Sequence, residues 1–126
     1  PMLSAESYKE FGMPYLQRLS DEFGGVFFHM CGKWEHQMKA LAESDVNILG
    51  FEFHHPFATI DQINEYFDNV VVVPYLDTHT ETEYPDMLNY VKDLIKRRKE
   101  GIRLWFAGYD DSGWPMEEIQ ALIDSG

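Results

Sequence analysis

Val70-Val71-Val72-Val73 is the stretch whose reading decides the fold. Four consecutive β-branched residues lack the in-and-out alternation of a half-buried strand. Such a run predicts burial on both faces, the condition of a parallel sheet covered by helices. Working outward, a short helix over 60–67 precedes it, with Thr59 as N-cap and Ile60, Ile63 and Phe67 inward. Before that helix, a loop over 54–57 follows a second strand, 46–53. After the valines comes a polar, loop-like segment, 77–85. A long helix over 86–100 follows, with Met87, Val91, Leu94 and Ile95 as its apolar face.

The outer parts repeat this alternation. Residues 26–31 read as a first strand and 33–43 as a helix with Trp34, Met38 and Leu41 on one side. Residues 102–107 read as a fourth strand. A turn-rich loop over 108–113 then leads to a helix opened by Pro115, with Glu117 and Glu118 near its positive end. The chain begins with a helix over 5–23, capped by Ser4 and ended by Gly24-Gly25. Its Tyr8, Phe11, Tyr15, Leu19 and Phe23 form one apolar stripe, read as core, and Gly12 with Pro14 predicts a kink.

The order is therefore one helix, then β-α four times, which specifies a parallel α/β sheet with crossover helices. No glycine-rich phosphate loop and no G-x-S-x-G elbow is present. A doubly wound sheet is possible. A (β/α)8-barrel type fits better, because polar residues cluster just past the strands: His29 and Cys31, Glu52 and His54, Asp77 and His79, Tyr109 and Asp110. In a barrel these share the catalytic rim. Four βα units make half a barrel, which leaves an inner sheet face and two edges to be covered. The missing half, a second copy of the chain or a rearranged packing would each do so.

Composition narrows the function classes. The 126 residues suit a single domain, 1–126, and 44% hydrophobic content argues against disorder. A net charge of -12 disfavours nucleic acid and anionic membranes as partners. The basic run Lys96-Arg97-Arg98-Lys99 reads as cations at the negative end of a helix dipole. One cysteine cannot form an internal disulfide, so a cytoplasmic setting is expected. There is no signal peptide or apolar run of membrane-spanning length. The chain opens on Pro1 rather than Met, which suggests a processed product or a piece of something longer.

His29 and Cys31 are two apart on a strand and so share a face, close enough to reach one metal ion or one substrate. The alternative is an interior histidine and an inert thiol. Glu52 shares a face with Ile48 and Gly50 and is expected to point into the barrel, as a ligand or acid/base group. A carboxylate there is costly unless paired. His54 and His55 point apart, so they would not bind one ion together. Asp77 and His79 read as a loop pair, solvated or functional.

Three places carry a resemblance to a known family: Ser4-Ala5-Glu6-Ser7-Tyr8 through Phe11 and Pro14-Tyr15; His29-Met30-Cys31-Gly32; and Phe106-Ala107-Gly108-Tyr109 with Trp114-Pro115 and the helix after it. Over nearly its whole length the chain resembles the C-terminal half of the uroporphyrinogen decarboxylase superfamily, leaning to the cobalamin-dependent methyltransferase branch. The resemblance implies a (β/α)8 barrel. It also implies zinc bound by His29 and Cys31, with a second cysteine after a later strand. That cysteine is missing: Gly108 is followed by Tyr109. Glu52 would then supply the third ligand, with His54 or Tyr109 as weaker substitutes, and Glu52 and Tyr109 would be the catalytic residues.

The activity so implied moves a methyl group between a methylated small molecule or thiol and cobalamin on a partner corrinoid protein. In the decarboxylase branch no metal is used, and the groups that hold the substrate come from the N-terminal half. A histidine of that branch's last loop is replaced by Tyr109. The alternatives are a non-catalytic half-barrel fragment or dimerising module, or a tetrapyrrole-binding remnant. A homo-oligomer or a partner half-barrel is expected in either case.

Overall fold

A computed structural model describes residues 3–77, 79–106 and 115–125. Four strands, β1 (Val26–Met30), β2 (Ile48–His55), β3 (Val71–Leu76) and β4 (Arg103–Leu104), form one parallel sheet in the order β1-β2-β3-β4. Helices α3 (Glu35–Ala42), α4 (Ile60–Tyr66) and α5 (Met87–Arg97) connect them, and α6 (Met116–Ser125) follows β4. Sequential strand order with every crossover helix in one layer is the winding of a (β/α)8 barrel, and this chain makes four of its units.

The core lies between that helix layer and one face of the sheet. Phe51, Phe53, Val72 and Ile102 meet Met38, Leu41, Ile63, Val91, Leu94 and Ile119 there, all essentially buried. Alternation along the strands then turns His29, Glu52, His54, Val73 and Tyr75 to the opposite face, the inside of the barrel. Val70, Val72 and Val73 are buried and Val71 half-buried, as the unalternating run requires.

The boundaries differ from expectation in informative ways. β2 runs two residues later than 46–53 because its far end keeps pairing: His54 aligns with Tyr75 and His55 with Leu76. Its expected start is used for a turn, where the Asn47 backbone N–H donates to Ser20 Oγ at 2.8 Å and the Asn47 side chain to the Gly24 carbonyl at 2.6 Å. β3 continues through Pro74. The Arg103 and Trp105 N–H groups donate to the Val70 and Val72 carbonyls, so even-numbered residues of β3 bond toward β4. The β3–β4 pairing ends at Val72, so the missing N–H of Pro74 falls beyond the paired stretch.

The first helix is not one continuous α-helix. It is built from α1 (Ala5–Ser7), a π-helical stretch (Tyr8–Gly12) and α2 (Met13–Phe23). The kink expected at Gly12 and Pro14 is this widened turn, closed by Met13 N–H donating to the Tyr8 carbonyl. A Cβ on Gly12 would lie 2.9 Å from Tyr8 Cδ2, so glycine makes room for the ring. Gly24, at φ +80°, ends α2 by donating to the Ser20 carbonyl.

The apolar stripe of this helix is a correction. Tyr8 is half-buried, but Phe11, Tyr15, Leu19 and Phe23 are 63%, 66%, 47% and 75% exposed. The helix packs instead through Met13, Leu16 and the buried Ser20. Periodicity identified an apolar face correctly and mistook which face meets this chain's own core.

Candidate functional site at the strand ends

β1 and β2 bring the site together. Parallel register places His29 opposite Glu52, and Glu52 opposite Val73. His29 Nδ1 lies 3.1 Å from Glu52 Oε2, and His29 Nε2 lies 3.1 Å from Cys31 Sγ. An ionised carboxylate only accepts, so Nδ1 carries the proton and donates to Glu52. Nε2 is then left as the acceptor facing the Cys31 thiol. Both His29 and Cys31 are exposed, and Glu52 is half-buried. Beside Cys31, Gly32 and Trp34 a small cleft of about 190 Å³ opens.

His54 completes the group. One ligand atom each from His29, Glu52 and His54 lies within 4.8 Å of the others. The two imidazoles meet edge to face, with ring centroids 5.7 Å apart, and His54 packs against Tyr75 at 4.5 Å. His54 Nε2 is buried and has no hydrogen-bond partner among the described residues. Burial holds the His54 pKa below the ordinary histidine value; the His29 ring acts the same way, while the Glu52 and Asp77 carboxylates oppose it. The ring is therefore neutral at neutral pH, the form a metal ligand must have.

The expected residues divide as follows. His29, Cys31 and Glu52 are adjacent, but Cys31 stands on the far side of the His29 ring from Glu52 and outside the three-residue cluster. His54 belongs to that cluster, on the same inner face of the sheet as Glu52. His55 points the other way and is buried. Its Nε2 is 3.0 Å from Glu83 Oε2, and its ring packs between Tyr84 and Tyr90. That pairing spans 28 residues and left no local signal. Asp77 binds its own loop, accepting from His79 N–H at 2.8 Å and Thr80 Oγ1 at 3.1 Å. Tyr109 and Asp110 lie outside the described residues.

A cavity of about 770 Å³ is lined by the loop after β3 and the start of α5, including Leu76, Thr80, Tyr84 and Met87. It does not contain the cluster. The cluster is where donor atoms from β1 and β2 converge among the described residues.

Two imidazoles and a carboxylate are a donor set that suits zinc with three protein ligands and an open position. The orphaned His54 Nε2 is the feature such an ion would account for. No curated protein and no solved structure matches the chain. The sequence profile of the family described as Uroporphyrinogen decarboxylase (URO-D) matches residues 1–100. With that match over most of its length, and with four singly wound βα units, the chain belongs to the uroporphyrinogen decarboxylase family.

Proposed function

We propose that the chain supplies half of an alkyl-transfer site of the methyltransferase type, with zinc held by His29, Glu52 and His54 and with Cys31 beside them. The observation that carries this reading is the convergence of those three donors, one with a buried unpartnered nitrogen. The reaction is movement of a methyl group between a methylated small molecule or thiol and a corrinoid presented by a partner protein at the barrel mouth. When bound, the zinc supplies Lewis acidity toward a thiol or methoxy oxygen.

The chain's own residues have defined tasks. Without an ion, Glu52 accepts from His29 Nδ1–H and orients that ring; an ion held by this cluster would take the place of that proton. The Cys31 thiol faces His29 Nε2, where its proton has an acceptor. Burial keeps His54 neutral. Val73 and Tyr75 form the apolar wall next to Glu52 and His54 on the inner face. His29, exposed on the inner face of the sheet, leaves room for a substrate to approach.

The test is zinc content and competition titration of the purified chain. About one equivalent is expected, with His54→Ala and Glu52→Gln each weakening binding by about tenfold or more. Zinc below about a tenth of an equivalent, with no binding on titration, would overturn the reading.

A further inference from the structure

The cavity of about 770 Å³ takes no part in the cluster described above. It stands at the end of β3, an internal strand of the sheet, between the loop that follows that strand and the start of α5. Its volume falls in the range of small-molecule sites, roughly 300–1,000 Å³. The walls are held in place by bonds to other elements. The Tyr84 hydroxyl donates to Asp93 Oδ2 at 2.5 Å, Glu83 is bound to His55 Nε2, and Asp86 caps α5 by accepting from the Asn89 N–H at 2.8 Å.

The charged part of the lining has one sign. Asp77, Glu81 and Asp86 contribute carboxylates, and no lysine, arginine or histidine lines the cavity among the described residues. Backbone hydrogen bonds, from His79 to Asp77 and from Asn89 to Asp86, hold those two carboxyls below the ordinary aspartate value, so both are ionised at neutral pH. Glu81 is exposed and has no ion-pair partner among the described residues. Leu76, Met87 and the Tyr84 ring add apolar wall. A metal ion would need three or more ligand atoms converging on one point. Among the described residues that convergence occurs at His29, Glu52 and His54, and the carboxylates of the cavity do not share it.

We propose that this cavity binds a small alkylated ammonium ion, its charge met by Asp77, Glu81 and Asp86 and its alkyl groups by Leu76, Met87 and Tyr84. Such a cation spreads its charge over a broad apolar surface. It therefore needs separated carboxylates around apolar walls rather than ligand atoms aimed at one point. The aromatic ring of Tyr84 adds attraction for it. An anion would face three carboxylates. A neutral apolar ligand would strip water from those carboxylates and supply no counter-charge. The three donors of the zinc reading are absent from the lining, so the two readings stand or fall separately.

The experiment is calorimetric titration of the metal-free full chain with choline and with its uncharged carbon isostere, a dimethylbutanol. Salt at about 0.15 M screens the net charge of -12. Saturable binding of choline is expected, with the alcohol weaker by about tenfold or more. Glu81→Lys is expected to weaken choline binding by about tenfold or more. Glu10→Lys, at an exposed position of the π-helical stretch, changes the net charge equally and should leave binding within about twofold of the parent. Both side chains are exposed, so far-UV circular dichroism of both variants should match the parent. Absence of saturable choline binding overturns the inference. So does equal binding of the alcohol. Equal weakening by the two variants overturns it as well, since that marks general attraction to an acidic chain. Displacement of choline by equimolar magnesium would mark a divalent-ion site and overturns it too.

Discussion

Gly50 is the position at which fold and site can be broken by one methyl group. It lies within β2 on the face of Glu52 and His54. A Cβ there would stand 2.1 Å from the Val71 carbonyl oxygen and 2.8 Å from Phe27 Cε2. A carbon and a carbonyl oxygen need about 3.3 Å, so β2 and β3 would have to part by about 1 Å. The obstacle is backbone in a ladder, which cannot swing aside as a side chain would. Overpacking costs about 1–3 kcal/mol, and a backbone obstacle places Gly50→Ala near the top, about 3 kcal/mol. At an m-value of about 2 kcal/mol per molar urea, the unfolding midpoint falls by about 1.5 M, and Tm by roughly 10 °C. Gly32→Ala is the control: its Cβ would meet nothing within 4 Å, and it should stay within about 0.5 kcal/mol of the parent. Urea unfolding followed by far-UV circular dichroism reads both. Gly50→Ala unfolding together with Gly32→Ala would refute the β2–β3 packing described above.

Two further expectations follow from other groups. Tyr90 is buried at 1% exposure and its hydroxyl has no partner among the described residues, so Tyr90→Phe should leave stability unchanged or raise it by up to about 1 kcal/mol in the same assay. A loss of that size would instead reveal a partner for the hydroxyl. Glu83 has its carboxyl held below the ordinary value of 4.5, chiefly by the hydrogen bond from His55. A depressed folded pKa contributes stability above the ordinary glutamate range and loses it as pH falls through that range into the depressed folded pKa. The stability gap between the parent chain and Glu83→Gln should therefore shrink as unfolding is measured from about pH 6 to about pH 3. A gap constant with pH would show that the His55–Glu83 pair does not couple to folding.

The unalternating valines, the helix caps and the βα rhythm were legible in the chain itself, because each is a local consequence of side-chain shape. Thr59 forms its capping box with Gln62, and Ser4 caps α1 by accepting from Ser7 N–H at 3.1 Å. His29, Cys31 and Glu52 could be placed on one face because strand alternation is equally local. The inclusion of His54 could not be ranked that way. It depends on β2 extending to His55, which is set by pairing with β3 rather than by the composition of 54–57.

Sequence by itself thus determined the parallel sheet with crossover helices and the side of it on which the polar residues stand. Tertiary structure decided three other things. It put Cys31 and Glu52 on opposite nitrogens of one imidazole. It brought His55 to a glutamate 28 residues away. It left the stripe from Phe11 to Phe23 facing outward. The physical reason is common to all three. Periodicity reports that a side chain has a preferred face, whereas the partner on that face is chosen by register and crossover, which join residues far apart in the chain.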